Sequence, residues 1–124
     1  MSNLTGPEGT IPVPDAEQWA KNWRTFLETS KQPFQTRSFL LPIYDFQNII
    51  KFNPTADGVR AYIGLEDPAD PTSAKLMLVP TVDGKDVPFI EGNGKDVAEG
   101  GQSNVYDLSG ACPPNCGPGP SLGD

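Results

Sequence analysis

Histidine is absent from this 124-residue chain, cysteine occurs twice, and basic residues number nine against sixteen acidic ones. Without histidine the chain lacks the one side chain whose ordinary pKa suits it as a general base near neutral pH, and with it the commonest metal ligand. Ser-His-Asp and Cys-His arrangements are therefore excluded within the chain. No apolar run approaches the roughly 20 residues that span a bilayer. Met1 to Pro14 has neither a basic n-region nor an apolar h-region, so a cytoplasmic address is expected and a membrane partner is not. In that setting the sequon Asn3-Leu4-Thr5 has no consequence.

The shortage of positive charge is local. Residues 1 to 60 carry six charges of each sign, whereas residues 61 to 124 carry ten acids and three bases, which produces the net charge of -7. An acidic surface of this kind repels phosphate backbones, so nucleic acid is not an expected partner despite local basic positions such as Lys31, Arg37 and Lys51.

Hydrophobic residues make up 36% of the chain and aromatics 9%, enough for one core in one domain. Gly and Pro, 13 and 14 in number, gather at the ends and in loops. Residues 1–14, punctuated by Pro7, Pro12 and Pro14, read as an extended arm, residues 15–108 as a single α+β domain, and residues 109–124 as a Gly/Pro/Cys-rich tail from which no core is expected.

Asp15 and Gln18 form a capping-box-like pair at the head of a helix over 15–31. Its apolar stripe of Ala16, Trp19, Ala20, Trp23, Phe26 and Leu27 has helical spacing, and core packing is the expected use of both tryptophans. Pro33 ends it. Arg37 to Leu41 reads as a short strand. Pro42 then opens a second helix over 43–51, in which Ile43, Phe46, Ile49 and Ile50 repeat at helical spacing.

Val59, Ala61, Ile63 and Leu65 alternate with Arg60, Tyr62, Gly64 and Glu66, the two-residue period of a strand with one buried face. Lys75 to Val82 is more evenly apolar, as in a strand covered on both faces. Asp83-Gly84 predicts a tight hairpin into a third strand over 86–90, with Pro88 marking an edge, and 104–108 offers a last short strand. The expected architecture is a small antiparallel sheet of three to five strands covered by the two helices. The outward pair Arg60 and Tyr62 is the expected partner contact on the sheet.

Candidate chemistry is sparse. Glu66, Asp67 and Asp70 cluster on a Pro-stiffened loop without the calcium-loop pattern and read as a solvated turn. Gly92-Asn93-Gly94-Lys95 fails as a phosphate loop, since Phe89 stands at its first glycine position and Asp96 where Ser or Thr is needed. No catalytic residue, cofactor or enzymatic activity is expected.

The two cysteines lie in Cys112-Pro113-Pro114-Asn115-Cys116. In polyproline geometry, with a rise of roughly 3.1 Å per residue, their α-carbons would be about 12 Å apart and no disulfide could close, whereas a turn at Pro114-Asn115 permits one. Three uses of Cys112 and Cys116 stay open. They shape the tail, as thiols or as a disulfide; they act in thiol redox chemistry, although no Lys, Arg or His lies in the tail to lower a thiol pKa; or they bind metal, which needs two further thiolates from a second chain.

The run Gly58-Val59-Arg60-Ala61-Tyr62-Ile63-Gly64, an apolar strand after it, and Val105-Tyr106-Asp107 ahead of the CPPNC segment resemble a group of small uncharacterised bacterial proteins with a GVRxYxG strand and a C-terminal CPPxC tail. The resemblance covers about residues 38 to 117 and implies a bacterial α+β domain, with no activity attached. The expected function is a non-enzymatic interaction or assembly module, an accessory subunit or homo-oligomer. The alternative is a thiol-based redox or metal-binding protein using the cysteine pair.

Overall fold

The structure is a computed structural model that describes residues 6–90, 102–107, 110–113, 115–117 and 122. Its elements are α1 (Val13–Ser30), β1 (Ser38–Leu40), α2 (Ile43–Phe52), β2 (Gly58–Leu65), a 3-10 turn (Pro71–Ser73), β3 (Ala74–Val82), β4 (Lys85–Asp86), β5 (Phe89–Ile90), β6 (Gln102–Ser103) and β7 (Gly110–Cys112). This is an α+β fold in which all strand pairing among the described residues is antiparallel. The pairing is divided among a three-stranded meander in the order β2-β3-β4, a β1-β7 pair and a β5-β6 pair.

The meander follows from local chemistry. Asp83 and Gly84 both have positive φ, 52° and 80°, as a two-residue turn of the primed type requires. Asp57 holds that turn from the neighbouring strand, its carboxylate accepting from the Asp83 amide at 2.8 Å and the Thr81 hydroxyl at 3.1 Å. The expected third strand over 86–90 is cut in two at Val87-Pro88. The Val87 amide donates to Pro80 C=O and the Pro88 carbonyl accepts from the Asn104 amide, so Pro88 faces Asn104 with its carbonyl alone and, lacking the N–H that would return the second bond, stands at the end of the β5-β6 pairing.

β3 is the centre of the core. Ala74, Leu78, Val79, Pro80 and Thr81 are all buried, in keeping with a strand covered on both faces. Leu27 of α1, Ile49 of α2 and Ala111 and Cys112 of β7 complete the buried apolar set among the described residues. The tail therefore does build core: β7 pairs with β1 in the register Ser38↔Cys112, Phe39↔Ala111 and Leu40↔Gly110. Of the last expected strand, over 104–108, the described residues show one bridge, Tyr106 with Leu78, closed by two 2.9 Å backbone bonds.

Three expectations about burial and capping are corrected. α1 starts at Val13 behind Pro12, without a side-chain cap, and Gln18 bonds Asn22 at 2.8 Å instead of closing a capping box with Asp15. Of the α1 stripe only Leu27 is buried, while Trp19 is 61% exposed and Trp23 and Phe26 are exposed as well. Finally, β2 has no buried face, since Val59, Ala61, Ile63 and Leu65 are as open as Arg60 and Tyr62. Periodicity marks which residues share a face, but a cover exists only where a distant element supplies one.

Asp45, 1% exposed on α2, is the most awkward buried charge, and its Oδ2 has no hydrogen-bond partner among the described residues. Burial raises its carboxyl pKa first, and the nearby Asp107 raises it further. A pKa higher in the folded than in the unfolded chain favours folding while the group is protonated, and that contribution is lost as pH rises through the folded value. Asp45→Asn is thus expected to raise the urea midpoint at pH 7 relative to wild type. The gain should vanish on acidification below the ordinary aspartate range, and urea melts at the two pH values measure both.

Candidate functional site

The cysteine segment is built by β7 and the turn after it. The Asn115 amide donates to Ala111 C=O at 2.7 Å, which folds the chain back and brings the Cys112 and Cys116 α-carbons to 4.5 Å, with the sulfurs joined in a disulfide. The turned alternative thus holds rather than the extended one. Cys112 is 2% exposed and Cys116 is half-buried.

A cation reaches the pair from elsewhere. The Arg37 amide donates to Cys112 C=O at 2.7 Å, which seats residue 37 beside β7. Its guanidinium Nη2 then lies 3.7 Å from the Cys116 sulfur and 4.0 Å from that of Cys112. The tail alone contains no such charge, and the 75-residue separation from Cys112 hides Arg37 from any local reading. A cationic neighbour of this kind is what the surroundings of reactive cysteines have in common. Behind it, Arg24, Leu27, Glu28, Gln35, Arg37 and Pro113 bound a shallow cavity of about 400 Å³.

Arg60 and Tyr62 are brought together with a third residue. Asp86 of β4 accepts from the Arg60 guanidinium through Oδ1 and from the Tyr62 hydroxyl through Oδ2, and Arg60 also donates to Gly84 C=O at 3.2 Å. Both side chains therefore reach across β3 to the far strand, and the basic charge on this face is already balanced. The hydrogen bond to Asp86 is the main cause of a raised Tyr62 pKa, with desolvation second. Asp86→Asn should bring one of the three tyrosines to ionise at lower pH, read from tyrosinate absorbance, while Tyr106, whose pKa is raised by burial, stays high. A cleft of about 560 Å³ adjoins Asp86 and is bounded by Phe52, Asn53, Val82 and Phe89 among others.

The acidic loop is self-satisfied. Asp67 accepts from the Ala69 amide, and Asp70 from both the amide and the hydroxyl of Thr72, bonds that lower the Asp70 pKa, the hydroxyl foremost. Glu66 and Asp67 stay exposed. Among the described residues no group of three or more His, Cys, Asp or Glu side chains is placed to hold a metal ion, and no helix is long and apolar enough to cross a membrane. The Gly92 to Lys95 run and the Asn3 sequon lie outside the described residues.

One buried network escaped the sequence reading. Asn104, with 0% exposure, exchanges two amide bonds with Asn53, donates to Val87 C=O at 2.9 Å and accepts from the Tyr106 hydroxyl at 2.9 Å. It ties α2 to the strands, because Asn53 also donates to Ile49 C=O at 2.9 Å. Comparison of the chain with protein-family models, with curated proteins and with solved structures gives no match in any of the three.

Proposed function

We propose that this protein is a non-enzymatic assembly module, acting as a homo-oligomer or as an accessory subunit of a protein complex. One observation carries the reading: large apolar side chains from α1, α2 and β2, among them Trp19, Phe26, Ile43, Ile50 and Ile63, are more than half exposed. Scattered apolar residues are ordinary on a surface, but α1 presents Trp19, Trp23 and Phe26 as a continuous helical stripe, with Trp23 and Phe26 stacked at 5.6 Å. Such a surface gains most by being covered. Size-exclusion chromatography with light scattering, together with affinity capture, tests this. An oligomer or a stoichiometric protein partner is expected, and a monomer that captures none overturns it.

The Arg37 guanidinium favours a second reading, in which the Cys112–Cys116 disulfide exchanges with external thiols. Thiol titration with and without reductant, and elemental analysis, decide it; inert, metal-free cysteines remove it. The proposed cytoplasmic address bears on the same bond, because cytosolic thiols are kept reduced unless the disulfide is stable against the glutathione pool. Alkylation of free thiols at the moment of lysis reads which form the cell holds.

A further inference from the structure

We infer that β2 is an open edge that pairs antiparallel with β2 of a second copy, in a register centred on Tyr62. This rests on the assembly reading above and assigns its contact surface.

The direction of the backbone groups makes the case. In an antiparallel ladder alternate residues address opposite neighbours. On β3, Leu78 exchanges both its backbone bonds with Tyr106, and Pro80 C=O accepts from Val87, so these even-numbered residues face away from β2. Val79 and Met77 therefore face β2, opposite Arg60 and Tyr62 in the observed register. Glu66, of the same parity, donates its amide to Ser73 C=O at 3.3 Å. It follows that Val59, Ala61, Ile63 and Leu65 turn their N–H and C=O groups to the other side, where β2 has no neighbouring strand among the described residues.

Nothing on β2 guards that edge. Natural edges are blunted by lysines, prolines or bulges, or by a covering element. Between Val59 and Leu65 there is no lysine and no proline. The only charge, Arg60, is drawn inward across the sheet to Asp86. Both faces of the strand are exposed, with Ile63 at 69%.

A second copy fits because the strand is self-complementary. With Tyr62 on the two-fold axis, Val59 faces Leu65 and Ala61 faces Ile63 of the other copy, so all four outward residues of each strand exchange backbone bonds, eight in all. Their side chains form one apolar row across the junction. On the opposite face Arg60 meets Gly64, which has no side chain to obstruct it, and each Tyr62 side chain is drawn back to Asp86 of its own copy, which leaves the two-fold axis clear for close approach of the strands. The result is a six-stranded sheet running through both copies.

Ile63→Pro tests the edge in the full chain. Its N–H points away from β3, so proline leaves the β2-β3 ladder intact but deletes two inter-copy bonds, and dimer affinity should fall about thirtyfold or more. Light scattering should show a wild-type dimer and an Ile63→Pro monomer with a wild-type melting curve. Tyr62→Cys should be linked into a covalent dimer by a short bis-maleimide, which spares the native disulfide, whereas Val59→Cys should not. A dimer that survives Ile63→Pro overturns the edge and leaves the assembly reading standing; a wild-type monomer without a partner overturns both. If Ile63→Pro misfolds, the cross-link decides, and failure of Tyr62→Cys to link overturns the proposal.

Discussion

Asn104→Ala should destabilise the fold by about 4 kcal/mol, the largest single effect expected here, because it strips several buried groups of their partners at once. The Asn104 side chain exchanges two bonds with the Asn53 amide and also serves Val87 C=O and the Tyr106 hydroxyl. Alanine leaves those groups desolvated in a site with no exposure, and desolvation without a partner costs more than the net value of a made hydrogen bond. The methyl group also leaves a small cavity. Urea unfolding should show a lower midpoint at an unchanged slope. A loss of only a few tenths of a kcal/mol would mean that Asn104 does not bind α2 to the strands.

Cys112→Ala should cost about 3 kcal/mol. Opening a loop of this length returns roughly 2 kcal/mol of chain entropy to the unfolded state, and truncating the buried sulfur loses about 1 more. Reductant acting on the wild-type protein should recover only the first part, since the thiol stays in place. The difference between the two treatments therefore measures how firmly Cys112 packs between β7 and β1. If neither moves the urea midpoint, the tail is an appendage and not part of the core.

The Asn104 effect arises where residues far apart in the chain converge and was not visible beforehand, whereas the Cys112–Cys116 disulfide joins residues four apart and was among the uses the sequence left open. Asn104 stands in a polar stretch that reads as loop, and its value comes from Asn53, 51 positions away. Arg37 reads as a surface base, yet β1-β7 pairing sets it beside the two sulfurs. What was legible obeyed short-range rules: the Asp83-Gly84 hairpin, the two helices, the strand periods of β2 and β3, and the self-satisfied Asp67 to Ser73 loop.

By itself the sequence determined an α+β protein without histidine chemistry, because helix and strand periods, turn residues and missing side-chain types are properties of neighbours in the chain. Only the tertiary structure decided which apolar faces were covered. It buried β3, left α1 and β2 open and folded the cysteine tail into the core, because burial depends on what arrives from elsewhere. For the same reason β2, whose alternation promises a buried face, ends as an edge that no strand among the described residues covers.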